Sequence, residues 1–173
     1  MATLRKGNCY RNITRAYTRK SKVKSKGFIK TVPNSKIVTF SMGELKGVFS
    51  HSIYLIAKTP HQIRHNALES TRQLVNRHMV DDVGIKNFFF QILAYPHHVL
   101  RENKMLTGAG SDRMQTGMSH AFGRAVGIAA QIRAGKKVFV VKVNEGHVDA
   151  AKKALKLACP RMPGTYTIGV EKN

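Results

Sequence analysis

Apolar residues recur along the chain at two periods, and the changes between them mark out the elements. From Pro60 to about Val80, Ile63, Ala67, Leu74 and Val75 fall on one stripe at helical spacing, which predicts a first helix over 60–80. Thr59 and Gln62 have the spacing of a capping box, Pro60 occupies the tolerated first position, and Gly84 supplies the stop just past Asp82. A second helix is expected over Glu145 to Ala158, with Asn144 as N-cap and Pro160 beyond its end. Its stripe is Val148, Ala151, Leu155 and Ala158, and Lys152, Lys153 and Lys156 face elsewhere. Strand-length stretches cover Lys36 to Phe40 after the Pro33-Asn34 turn, Phe88 to Ala94, and Val99 to Leu100. Two more, Val126 to Arg133 and Lys137 to Val143, flank the Ala134-Gly135 turn, and Tyr166 to Val170 closes the set. The order predicts an α/β (α+β) fold, a mixed β-sheet with two packed helices. No internal repeat is found.

Two stretches break this patterning. Residues 1–47 hold 12 Lys/Arg against one acid, Glu44, and Thr14 to Lys30 alternates cations with Thr, Ser and Tyr without helical or strand period. Such a segment buries too little apolar surface to fold alone. Residues 1–35 therefore read as a basic arm that orders against RNA, with Tyr10, Tyr17 and Phe28 available for stacking, and 36–173 as one domain. Within that domain, 101–117 is a long polar loop carrying Arg101, Lys104 and Arg113 with Gly108, Gly110 and Gly117, and loops of that length are often functional.

Composition sharpens the picture. The chain has 173 residues, 42% hydrophobic, enough for a real core. Against 9 acids stand 30 Lys and Arg, a net charge of +21 that resists compaction and calls for a polyanionic partner. Nucleic acid fits best, because each neutralised phosphate releases counterions. The apolar runs Phe88 to Tyr95 and Val138 to Val143 are far shorter than the ~20 residues needed to span a bilayer, and no signal peptide is read. Cys9 and Cys159 form neither a disulfide framework nor a zinc pattern, so an intracellular setting without cofactor or metal is expected.

Eight histidines invite a catalytic reading, which their spacing weakens. His61 and His65 would share a helical face, but the residues between them lack the metalloprotease glutamate and include Arg64. His97-His98 follow a strand, where adjacent side chains diverge, and suit RNA contact or core packing. Ser119-His120 are adjacent, a poor geometry for nucleophile and base. Gly108-Ala109-Gly110 opens like a dinucleotide fingerprint, but Arg113 stands at the third glycine position. Gly117 to Gly123 has the wrong spacing for a phosphate-binding P-loop, and Arg124 follows where a lysine is needed. What remains is a loop whose glycines turn tightly and whose arginines meet phosphate.

At residues 95–127 the residues match a known pattern. Tyr95-Pro96-His97-His98-Val99-Leu100-Arg101, Asn103-Lys104-Met105-Leu106, Ala109-Gly110-Ser111-Asp112-Arg113, Gln115-Thr116-Gly117-Met118 and Ala121-Phe122-Gly123 closely resemble the universal ribosomal large-subunit protein sixteen family, in its archaeal and eukaryotic L-ten-e form. The likeness extends to Arg64-His65-Asn66-Ala67-Leu68-Glu69, Arg72 and Asn76-Arg77, and to Pro33, Lys36-Ile37, Phe40 and Met42-Gly43. Two departures stand out: Gly123-Arg124-Ala125-Val126-Gly127 lacks the family's proline, and Glu102 occupies a position that is usually apolar.

The resemblance implies an α/β hammerhead-type fold and a non-enzymatic, ribosomal role in translation in the cytoplasm. Its partners would be large-subunit rRNA of the 23S type beside the peptidyl-transferase region, A- and P-site tRNA, and neighbouring ribosomal proteins, with 5S rRNA as a further candidate. The short end after Asn173 looks archaeal. The RNA-binding residues expected are Arg11, Arg15, Arg19 and Lys20 in the arm, and Arg64, Arg72, His97 and His98 in the body. In and beside the loop they are Arg101, Lys104, Arg113, Gln115 and Arg124. The alternative from another class is a histidine-dependent RNA-processing enzyme using His97, His98 or His120 with Asp112.

Overall fold

In the stretch His51–Ala57, Ile53, Leu55 and Ala57 are buried in alternation with half-buried Tyr54 and Ile56, the signature of a strand with one face on a core. This strand, β2, lies inside a five-stranded sheet in a computed structural model that describes residues 5–23, 25–103, 108 and 123–173. The other strands are β1 (Ser41–Gly43), β3 (His61–Arg64), β4 (Phe88–Ile92), β5 (His98–Glu102), β6 (Arg124–Ile132), β7 (Lys137–Val143) and β8 (Tyr166–Lys172). The helices are α1 (His65–Asp82) and α2 (Val148–Ala158). The expected α+β class is what forms, and its strands divide between two sheets, ordered β1-β4-β7-β2-β8 and β3-β6-β5, with antiparallel pairings throughout the described residues.

The large sheet and both helices share one core. Ile53 and Leu55 of β2, Phe88 and Phe90 of β4 and Phe139 and Val141 of β7 meet Val75 and Met79 of α1 and Ala151 and Leu155 of α2. Burying each such side chain contributes about 1.5–3 kcal/mol. Ile63, Ala130 and Ile132 extend that core into the small sheet. Registers set Gln62 opposite Gln131 and His98 opposite Ala129, so these residues fall on the small sheet's other face.

Several expected boundaries move. The first helix starts at His65, not Pro60, because 61–64 pairs with β6 as a strand. The capping box does not form: Arg64 is the N-cap, in extended backbone, with no side-chain capping bond. Gln62 instead gives its backbone N–H to the Arg11 carbonyl (2.9 Å) and its side-chain amide to the Tyr10 carbonyl (3.0 Å). His61 and His65 consequently share no helical face. A short 3-10 turn, Glu145–His147, precedes α2, and Asn144 makes no side-chain cap there. Lys36 to Phe40 is not a strand. The Lys36 N–H donates to His65 Nδ1 (3.4 Å) and the Val38 N–H to Glu69 (3.3 Å), and the first strand follows at Ser41.

Candidate nucleic-acid interface

The arm is tied to the small sheet strand by strand. Arg11 accepts from β3, the Thr14 carbonyl accepts from Gln131 Nε2 of β6 (2.9 Å), and the Tyr17 carbonyl accepts from the Val99 N–H of β5 (3.0 Å). Gln131 also donates to Gln62 Oε1 (3.0 Å), which satisfies the buried amide beneath the strap. The Tyr17 N–H donates to His98 Nδ1 at 2.7 Å. Arm residues therefore cross the sheet from β3 to β5, and the bonds come from named side chains as well as backbone.

Cations cover the arm's aromatic rings. The Arg101 guanidinium sits 3.9 Å from the Tyr17 ring centre, Arg19 sits 4.5 Å from Phe28, and Arg64 sits 5.3 Å from Tyr10. Tyr17 also donates its hydroxyl to the Phe28 carbonyl (2.8 Å), folding the arm back on itself. In this arrangement the arm aromatics support arginines, rather than standing bare for bases as the sequence suggests.

Arg11, Arg15, Arg19 and Lys20 are all exposed along this strap. Arg64 is half-buried and donates to the Arg5 carbonyl (3.2 Å). Arg101 and Arg124 lie near one another, because β5 and β6 pair Arg101 with Ala125 and Glu102 with Arg124. Glu102 forms an ion pair with Arg5 (3.4 Å), so the departure from an apolar residue there binds the start of the arm to the base of the loop. Lys104, Arg113 and Gln115, with Asp112 and His120, lie outside the described residues.

Two residues that the sequence assigns to RNA sit in interior positions. The Arg72 side chain is only 13% exposed and makes two bonds to the Glu69 carboxylate, 2.8 Å through Nε and 2.6 Å through Nη2. That guanidinium holds the Glu69 carboxyl below its ordinary range, and the carboxylate in turn accepts from Val38 and Gln73. His98 is buried, and its Nδ1 must remain unprotonated to accept from Tyr17. Burial, and then the charge of Arg101, push its pKa down.

His97 points the other way and is exposed beside Tyr95, with ring centres 4.6 Å apart. Tyr95 is 50% exposed and stacks on Phe40 at 5.4 Å. Sequence reasoning missed Tyr95, although the period-2 alternation could have found it: Ile92, Ala94 and His98 are buried while Leu93, Tyr95 and His97 are exposed. Unlike the arm rings, this pair presents aromatic surface of the kind that stacks on unpaired bases.

Among the described residues no group of three His, Cys, Asp or Glu side chains could hold a metal, and no helix is long and apolar enough to cross a membrane. A strapped arm, exposed arginines and an outward aromatic pair on a small α+β body define a basic scaffold suited to nucleic acid. The particular family follows from comparison. The chain belongs to the ribosomal protein L16p/L10e family, whose pattern matches residues 14–169. A large ribosomal subunit protein uL16 of Methanosphaerula palustris is 46% identical over 167 residues, 96% of this chain and 93% of its own length. The protein of that name from Thermofilum pendens is 44% identical over 170 residues, 98% of each chain. Its namesake from Staphylothermus marinus is 43% identical over 161 residues, 92% of this chain and 89% of its own length. These relatives are archaeal, in keeping with the archaeal character expected from the sequence.

Proposed function

We propose that the protein is a structural constituent of the large ribosomal subunit. In this reading Arg11, Arg15, Arg19 and Lys20 neutralise phosphates of large-subunit rRNA, and Tyr95 and His97 stack on unpaired bases. Arg64, Arg101 and Arg124 line the approach to the loop. The loop itself, with Lys104, Arg113 and Gln115, reaches toward the acceptor arms of A- and P-site tRNA beside the peptidyl-transferase region. Arg72 and His98 serve as positioning residues, Arg72 through Glu69 and His98 through Tyr17. The observation that carries the reading is family membership along most of the chain, joined to an arm whose arginines are exposed while its backbone is tied down. Family membership favours a scaffold over the histidine-dependent enzyme, and of the histidines that alternative would use, His98 is occupied by the arm.

The test is sedimentation of a cell lysate at low and high salt. Stoichiometric presence in the large subunit, lost only at high salt, is expected from phosphate contacts. Free sedimentation at low salt would overturn the reading. Replacing Arg101, Lys104 and Arg113 together should spare the fold and impair subunit maturation or tRNA positioning. Normal translation from such ribosomes would remove the loop's role.

A further inference from the structure

Three turns come together at one end of the large sheet. The Gly135 N–H donates to the Ala57 carbonyl (2.8 Å), and the Ala57 N–H returns to the Lys136 carbonyl (3.0 Å). The Lys58 N–H donates to the Thr165 carbonyl (2.9 Å). These bonds lock the β2–β3 connection, the β6–β7 turn and the approach to β8 into one surface. Gly135 turns at φ +79°, and Gly164 turns at φ +88° with the His61 ring where a Cβ would lie. Tyr166 reinforces the corner, its hydroxyl 2.6 Å from His61 Nε2 and 2.7 Å from the Pro163 carbonyl.

That surface carries Lys58, Arg133 and Lys136, all exposed, with exposed Thr59 and Thr165 whose hydroxyls lie 3.5 Å apart. None of the three cations takes part in the ion pairs found among the described residues. The adjoining Lys137 is different: Glu171 neutralises it at 2.7 Å. Three unneutralised cations on rigid turns repel one another unless an anion lies among them. The cluster combines cations with hydroxyl donors, and the Tyr166 ring beside it packs edge-on against His61 with its hydroxyl bonded within the corner, a composition that suits phosphate better than base edges.

We propose that Lys58, Arg133 and Lys136, with the Thr59 and Thr165 hydroxyls, form a second grip on an RNA sugar-phosphate backbone. The proposal rests on the reading of the chain as an rRNA-binding protein. The Gln62 N–H, three residues beyond Thr59, donates to the Arg11 carbonyl (2.9 Å), so the grip adjoins the arm and one RNA segment can run along both. An acidic protein segment would fit the charge too, but the net charge of +21 and the ribosomal family favour RNA.

The test measures binding of the full chain to protein-free large-subunit rRNA over about a tenfold range of KCl. Three proteins are compared: the parent, Lys58→Gln/Arg133→Gln/Lys136→Gln, and a control, Lys152→Gln/Lys153→Gln/Lys156→Gln, that removes equal charge from α2. Far-UV circular dichroism verifies that each is folded. Each lost phosphate contact lowers the slope of log K against log salt by about 0.7–0.9, so the turn variant should fall by about 2–3 and the control should match the parent. Heparin serves as a second probe that supplies charge without an RNA backbone. Equal slopes for parent and turn variant would overturn this grip alone, as expected if an acidic protein is the occupant. Equal losses in turn variant and control, or a loss toward heparin only, would reduce the cluster to diffuse charge. A parent that fails to bind rRNA would remove the ribosomal reading and this one with it.

Discussion

At the scale of single residues, the histidines illustrate how burial determines role. His98 accepts the Tyr17 N–H and can do so only while Nδ1 is unprotonated. Burial holds its pKa below the ordinary 6.5, so the unfolded chain takes up the proton first as pH falls. His61 and His65 shift in the same direction, also chiefly by burial. Their contribution is therefore complete above about pH 6.5 and drains away below it. We expect the protection factor of the Tyr17 amide, measured by hydrogen exchange, to drop on moving from neutral to mildly acidic solution. A pH-independent value would show that His98 does not hold the arm. Gly164 offers a sharper residue-level test. Gly164→Ala forces a side chain into left-handed backbone against the His61 ring and should cost about 2–4 kcal/mol in urea unfolding. A loss below about 0.5 kcal/mol would mean that the corner yields.

At the scale of elements, α1 is held by tertiary bonds more than by its own ends. It has no acid in its first turn and no side-chain cap, yet buries His65, Leu68, Glu69, Thr71, Val75 and Met79. The Glu69–Arg72 pair on its inner side connects the helix to residue 38 and, through Arg72 Nη1, to Met42 Sδ (3.0 Å). Glu69→Ala would leave a guanidinium unpaired in a nearly closed site, at a cost of about 3 kcal/mol. Denaturant unfolding would measure it, and a change under about 1 kcal/mol would show that Arg72 finds water instead. The small sheet is the element that organises the interface. It meets the core through Ile63, Ala130 and Ile132, carries the arm over Gln62 and Gln131, and holds Arg101 and Arg124 where the loop leaves β5 and returns to β6.

At the scale of the molecule, charge is the dominant fact. With +21 distributed over 173 residues and only a few ion pairs among the described ones, the folded chain works against its own repulsion. Moderate salt screens that repulsion within about 10 Å, so the melting temperature should rise between low and physiological ionic strength. Each ~1 kcal/mol gained corresponds to about 2–4 °C in a domain of this size. A melting temperature that stays flat or falls would show that the cations are too far apart to matter.

The sequence by itself determined the α+β class, the presence of both helices and the strand Lys137–Val143. The expected stripe of α2 is buried at Ala151, Leu155 and Ala158, whereas of the stripe expected for the first helix only Val75 is buried within α1, which buries His65, Leu68, Glu69, Thr71 and Met79 beside it. It also determined the family, through the motif at 95–127, and the basic character of the arm. Only the tertiary structure decided that 61–64 is a strand, since Gln62 gains more from Arg11, Tyr10 and β6 than Thr59 could offer as a cap. It alone made β2 a central strand and divided the strands between two sheets, choices set by which registers bury Ile53, Leu55 and Ile63 together. It separated Arg72 and His98 from the exposed arginines by giving each a buried partner, and it gathered Lys58, Arg133 and Lys136 from distant turns. Local pattern is a property of neighbours along the chain; burial and partnership are properties of neighbours in space.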